Sequence, residues 1–389
     1  MRKPPPNTIY NSAMVAKARK VPSAKRVLVF QGGGALGAYQ AGVFEALAGA
    51  GLEPDWLAGI SIGAVNAAII AGNPPKDRAA RLDDFWRKVS AGPQFAPPFL
   101  PDGALPWVAQ LNAASAMMFG APGFFTPRMP PPQFAPPGPP SGVSYYDSAP
   151  LKATLERLVD FDRINSSPIR LSVGAVNVET GNFTYFENRN GGRIGPEHIM
   201  ASGALPPGLP PVEIDGAWYW DGGLVSNTPL EFVLQNETRD DLAIFQVDLF
   251  PARGPLPRTV AEAADREMDI RFSSRTRLNT DQPLQIRRLK RMARELIEQL
   301  PPDLAGTPAA RRLAEASVEN AVNIIQLIYR GKPHENGHRD YEFSRATMNQ
   351  HWAAGRHAAE AALSRKGAIL NPQGEDVAHV FDGREETTA

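Results

Sequence analysis

The amino-acid sequence predicts an α/β fold built on a mostly parallel sheet, and three observations carry that expectation. Val27, Leu28, Val29 and Phe30, within Arg26–Phe30, form a short unbroken apolar run, as in a strand covered on both faces. It runs into a glycine cluster, after which Val43, Phe44 and Leu47 recur at helical spacing until Gly49 and Gly51 end the helix. Trp56–Ile60 repeats the pattern: a short strand, a sharp turn at Ser61, then a small-residue helix over Ala64–Ala71, closed by Gly72-Asn73-Pro74-Pro75. Strand, turn, helix, twice over, is how a parallel sheet acquires helices on its faces.

Further along, residues 91–150 mix prolines with Phe95, Phe99, Trp107, Met117, Met118, Phe119, Phe124, Phe125 and Phe134. A flexible spacer is poor in aromatics, so this insertion either buries them or offers them to an apolar ligand. Its prolines argue against a continuous helix, and the reading is a semi-rigid flap over an apolar site, with a permanent structural wrap as the alternative. A helix follows Pro150, and Ile169–Val178 and Phe183–Phe186 read as a hairpin about Glu179-Thr180-Gly181-Asn182. Leu242–Val247 is another buried strand, while the C-terminal third reads as helical, charged and without strand signals. The expected division is a flexible segment over 1–23, a main α/β domain over 24–250 that contains the 91–150 insertion, and a helical extension over 251–389.

Composition narrows the function classes. Of 389 residues, 43% are hydrophobic and 21% charged, which suits a globular protein, and the formal net charge of +0 gives no global attraction to nucleic acid. The absence of cysteine removes disulfides, thiolate metal sites and a cysteine nucleophile, and fits the cytoplasm. Arg2, Lys3, Lys17, Arg19 and Lys20 are followed by no apolar core of a secretion signal, and no apolar run reaches spanning length. Any membrane contact is therefore expected to be peripheral.

The chemistry concentrates in three places. Gly59-Ile60-Ser61-Ile62-Gly63 fits the Gly-x-Ser-x-Gly elbow, in which small neighbours permit a strained turn that presents a serine at a helix N-terminus. Gly32-Gly33-Gly34-Ala35-Leu36-Gly37 lies between a strand and a helix, where backbone N–H groups meet the positive helix end. The same letters match a dinucleotide fingerprint with Glu53 or Asp55 as the ribose acid, but both precede the second strand rather than end it. An oxyanion hole explains loop and elbow together, with the N–H groups of Gly33 and Gly34 as donors. A serine hydroxyl also needs a base. His198, His334, His338, His351, His357 and His379 occupy no recognisable strand-end turn beside an acid, whereas Asp221-Gly222-Gly223 leaves the apolar run Trp218-Tyr219-Trp220 at a glycine turn.

Together these residues resemble the patatin-like phospholipase family, whose members combine a Gly-Gly-Gly-x-x-Gly loop, a Gly-x-Ser-x-Gly serine and an Asp-Gly-Gly/Ala aspartate in that order. The resemblance takes in Ala201-Ser202-Gly203-Ala204-Leu205-Pro206-Pro207, then Asn227, Thr228 and Pro229, and covers Ala24 to Val233. It implies a three-layer α/β/α fold with a helical C-terminal extension. It also implies a Ser61–Asp221 dyad, an oxyanion hole of Gly32, Gly33, Gly34 and Gly37, elbow glycines Gly59 and Gly63, and an aspartate turn at Gly222 and Gly223. The implied reaction is two-step acyl transfer on lipid-like esters, with no metal or organic cofactor. Two departures stand out: Leu36 where many members carry Arg or Lys, and Gln31 where plant members often have Asp.

Three features lie outside the motifs. Arg271, Arg275, Arg277, Arg287, Arg288, Lys290, Arg291 and Arg294 form a basic stretch that either meets anionic headgroups or is a solvated helix face. His334 and His338 near Asp340 invite a metal reading, against which the local glycines and proline speak. Asp340–Ala362 resembles a C-terminal extension of unknown role in some bacterial patatin-like proteins, and nothing in it declares a chemistry. Rival functions are an esterase acting on short hydroxyalkanoate or storage-polyester substrates, and a catalytically silent lipid-binding protein.

Overall fold

In a computed structural model the described residues are 24–95, 105–134, 136–237, 239–273, 276–317, 320–331, 339–364 and 377–381. Segment 1–23, Phe99, Arg275, His334 and His338 lie outside them, as do the side chains of Arg277 and His379.

The chain begins with β1 (Lys25–Phe30), α1 (Ala38–Gly49), β2 (Trp56–Gly59), α2 (Ile62–Ala71) and α3 (Arg78–Val89). The insertion holds α4 (Leu105–Phe119) and a two-stranded ribbon of β3 (Thr126–Pro127) and β4 (Tyr146–Asp147). Next come α5 (Ala149–Leu158), α6 (Phe161–Ser166), β5 (Arg170–Asn177), β6 (Phe183–Glu187), α7 (Pro196–Ser202), β7 (Val212–Ile214) and β8 (Ala217–Asp221). Then follow α8 (Leu230–Asn236), β9 (Leu242–Asp248), α9 (Val260–Phe272), α10 (Thr276–Glu298), α11 (Pro302–Ala305) and α12 (Pro308–Glu315). The last elements are β10 (Val322–Ile328), α13 (Arg345–Leu363) and β11 (Val377–Phe381).

The architecture is a mostly parallel sheet with helices on both faces. Among the described residues it has nine strands in the order β11-β10-β9-β1-β2-β5-β8-β7, with β6 also on β5. From β11 to β5 every pairing is parallel, and β6, β7 and β8 add antiparallel pairs at one end. The unbroken apolar run of β1 follows from this burial. Leu28 and Phe30 enter the larger core with α1, α2, α3 and α13, while Val27 and Val29 enter a second core with α8 and Leu284 of α10.

Two expectations are corrected here. The C-terminal third is largely helical, but it also supplies β10 and β11, which extend the same sheet in parallel beyond β9. Val322–Ile328 is as apolar as β1, yet a short apolar run inside a helical neighbourhood does not by itself separate strand from helix. The insertion also contains a continuous helix. Proline sits only in the first turn of α4, at Pro106, where no intrahelical N–H bond is lost, and none lies between Trp107 and Phe119.

α1 and α13 pack backbone to backbone. A Cβ on Gly42 would strike the Trp352 carbonyl, and a Cβ on Gly355 would strike the Tyr39 carbonyl. The C-terminal region is thereby joined to the helix that follows the glycine loop. No helix among the described residues is long and apolar enough to cross a membrane.

Candidate active site

Strand pairing carries Ser61 and Asp221 toward one another. β2 pairs with β5 up to Gly59–Val173, and β8 pairs with β5 down to Asp221–Ala175. β6 pairs with β5 over Ser172–Val176 and occupies its other edge. So β2 and β8 approach from opposite directions along one edge of β5 and end face to face, and Ser61 leaves β2 where Asp221 closes β8.

Ser61 has φ 54° and ψ −124°, a backbone conformation that costs an L-residue on the order of 1–3 kcal/mol. Its neighbours allow it. A Cβ on Gly59 would sit 2.5 Å from the Gly63 carbonyl, and one on Gly63 would collide with that of Phe30. The Ser61 N–H donates to Ser202 Oγ of α7 at 2.9 Å, which ties the elbow to a third element. Although Ser61 is the N-cap of α2, its hydroxyl does not cap the helix; it lies close enough to the Asp221 carboxylate to act on its proton affinity.

Asp221 is only 2% exposed. Its Oδ1 accepts the Gly223 N–H at 2.7 Å, and its own N–H donates to the Ala204 carbonyl at 3.0 Å. Loss of water around the carboxylate pushes its pKa up to about 7, against the Gly223 N–H and the nearby Ser61 hydroxyl, which pull it down. A carboxylate balanced near neutrality beside a serine hydroxyl is suited to accept and return a proton. Gly222 leaves room for the turn, since a Cβ there would be 2.7 Å from the Gly174 carbonyl.

The glycine loop divides by role. The Gly32 N–H already donates to the Asn227 carbonyl at 3.2 Å, and the Asn227 amide returns a bond to the Gly32 carbonyl at 3.2 Å. A Cβ on Gly32 would collide with Asn227 Oδ1, so this position requires glycine for close approach rather than as a donor. Gly37 lies behind the cleft; a Cβ there would meet Ile62 Cγ1 at 2.5 Å. The N–H groups of Gly33 and Gly34 find no acceptor among the described residues, and both residues line the cleft beside Ser61. The Ile62 N–H, first in α2, shares that property, and neither the loop nor the elbow motif had singled it out.

The two departures from the family pattern have structural counterparts. Leu36 is fully buried in the larger core. Gln31 is a buried hub: its amide donates to Thr228 Oγ1 at 3.0 Å and to the Phe272 carbonyl at 3.1 Å. Its Oε1 accepts the N–H groups of Leu249 and Phe250 at 2.5 and 3.0 Å. A neutral amide can donate and accept here, which a carboxylate cannot.

The cleft holds about 700 Å³ of space between atoms, its open mouth included. Besides Ser61, Asp221 and the glycine loop, its lining includes Phe124, Phe125 and Tyr146 from the insertion and Asp340, Tyr341 and Phe343 from the C-terminal region. The insertion is thus both wrap and wall. Phe125 is 3% exposed in the core, whereas Met118 and Phe119 stand 67% and 59% exposed. Ser202 and Asn227 were quoted in the family resemblance but not as site residues, and Tyr341 and Phe343 had no local signal at all.

Other candidates fall elsewhere. No described histidine lines the cleft. His198 Nδ1 accepts the Gly195 N–H at 3.0 Å, and His351 packs against Tyr329. In the basic stretch, Arg287 is buried and donates to the Asn320 carbonyl at 2.9 Å, which braces the fold, while Arg294 pairs with Glu298 at 3.2 Å along the exposed face of α10.

A patatin-like phospholipase family model matches residues 28–234, and a second model described as patatin phospholipase matches residues 270–374. Among solved structures the chain is similar to VipD from Legionella pneumophila, at 14% identity and a TM-score of 0.39, covering 88% of this chain and 67% of that one. It is also similar to the type III effector protein ExoU, at 13% identity and a TM-score of 0.32, covering 91% of this chain and 55% of that one. No curated protein matches.

Proposed function

The chain belongs to the patatin-like phospholipase family, hydrolases of lipid esters, and from that premise we propose that Ser61 and Asp221 form the catalytic dyad of a serine acyl hydrolase. The observation that carries the reading is the strained Ser61, whose hydroxyl meets a buried Asp221 carboxyl raised to about 7.

As Ser61 Oγ attacks the ester carbonyl carbon, its proton passes to Asp221. The carbonyl oxygen gains negative charge, which the N–H groups of Gly33 and Gly34 and the N-terminus of α2 stabilise. Collapse of the tetrahedral species breaks the ester C–O bond, and Asp221 returns the proton to the leaving alcohol. Water then attacks the acyl-enzyme, gives its proton to Asp221, and releases the carboxylic acid as Ser61 regains a proton. The mostly apolar lining suits the acyl portion of a lipid-like ester.

Labelling with a serine-reactive fluorophosphonate, followed by peptide mapping, tests the assignment. Ser61 should carry the label and Ser61→Ala should abolish both labelling and ester turnover. Modification at another serine, with turnover surviving in Ser61→Ala, would overturn the dyad.

A further inference from the structure

Arg339–Phe343 carries no chemical motif, yet the fold sets it against the glycine loop. A Cβ on Gly34 would strike the Asp340 carbonyl, so the backbones of the segment and the loop touch. Both ends of the segment are anchored. Arg339 makes a buried ion pair with Asp269 of α9. At the other end Ser344 caps α13, its Oγ accepting the Thr347 N–H at 3.3 Å, and α13 is docked on α1.

Between these anchors, rings from two sequence-distant segments close into one wall. The Phe343 centroid lies 5.8 Å from that of Phe124 and 6.0 Å from that of Phe125. Phe125 is in turn 6.3 Å from Tyr341 and 4.8 Å from Tyr146. These are the separations of rings in direct contact. All five residues line the cleft that holds Ser61, and the described lining contains neither Lys nor Arg. Such a wall gives an anionic headgroup no partner and gives an apolar chain a continuous surface.

Resting on the acyl-hydrolase reading, we infer that Arg339–Phe343 is the specificity element of the site: Phe343 and Tyr341, with Phe124 and Phe125, seat the acyl chain of the ester. The C-terminal region is then part of the substrate site, and the ring at position 343 supplies apolar surface that only a long chain reaches.

The test compares the full-length protein with Phe343→Ala and Phe343→Trp. Two readouts are taken: kcat/KM on p-nitrophenyl butanoate and dodecanoate, and binding of dodecanoate to the Ser61→Ala form by displacement of a fluorescent fatty acid. Phe343→Ala should lower kcat/KM for the long ester about tenfold relative to the short one and weaken dodecanoate binding in parallel. Phe343→Trp, which fills the seat and keeps a ring in the wall, should shift preference further toward the short ester. Equal losses on both esters with a lower Tm would make the segment purely structural and overturn the inference. Unchanged selectivity and binding in both variants would do the same. The acyl-hydrolase reading fails on a different result, the absence of Ser61-dependent turnover of either ester, and in that case dependence of dodecanoate binding on Phe343 decides the inference alone.

Discussion

Asp221→Asn should abolish ester hydrolysis and, above neutral pH, make the protein more stable. The carboxyl is 2% exposed and raised from its ordinary 3.8 to about 7, chiefly by desolvation. A difference of about three pH units at ~1.4 kcal/mol each corresponds to ~4 kcal/mol between protonated and ionised forms. Because the folded chain holds this proton more tightly than the unfolded chain, the stabilisation is fully present below about pH 4 and is lost as pH rises through about 7. Asparagine carries no charge and its Oδ1 can still accept the Gly223 N–H. The variant should therefore exceed wild type by ~2–4 kcal/mol at pH 8, seen as a Tm higher by several degrees, with the gap closing toward pH 4. Asp248, also buried and raised to about 7, contributes the same pH dependence to both proteins and cancels in the comparison. Thermal unfolding of the pair from pH 5 to pH 8, with a wild-type kcat/KM profile over the same range, checks both halves. Wild-type activity should decline below about pH 7, because only the ionised carboxylate takes the Ser61 proton. A Tm gap that is absent at pH 8, or that grows as pH falls, would refute the desolvation argument.

Ser61→Ala and Asp221→Asn should each remove activity without adding, since the pair acts as one unit, and a double variant far below either single one would show that they are not partners. Gly34→Ala combines φ 55° with a collision at the Asp340 carbonyl, so turnover should fall by about tenfold or more; wild-type kinetics in this variant would refute the crowding. Arg339→Ala leaves Asp269 buried without its partner and should cost roughly 3–5 kcal/mol in denaturant unfolding, and a change below about 1 kcal/mol would show that the pair is dispensable. In the insertion, Phe125→Ala should destabilise by ~3–5 kcal/mol. Met118→Ser should stay within about 0.5 kcal/mol, and equal losses would contradict the division into wrap and exposed face.

Much of the fold was legible because its signals are local. β1, β2, β5 and β9 announce themselves as apolar runs, and α1 and α2 begin at glycine or serine turns whose residue types serve no other purpose well. β10 escaped because seven apolar-rich residues between helices fit either state, and only a vacant sheet edge beside β9 decides for a strand. α4 escaped because prolines were counted across the whole insertion, although what matters is that none falls inside one particular stretch.

By itself the sequence supplied the residue types and local patterns on which the proposed chemistry rests: Ser61 within an elbow of glycines, Asp221 before a glycine turn, and a loop whose backbone can approach an anion. Those are properties of a few adjacent residues, set by Cβ sterics and backbone hydrogen-bonding capacity. Only the tertiary structure decided which of them meet. β2 and β8 share one edge of β5, so Ser61 faces Asp221; Gly32 spends its N–H on Asn227, so the loop's free donors are those of Gly33 and Gly34. The place of Tyr341 and Phe343 beside them is likewise set by an ion pair and a helix–helix contact between segments far apart in the chain. Such long-range contacts follow from the burial of complementary surfaces, and no spacing within one segment encodes them.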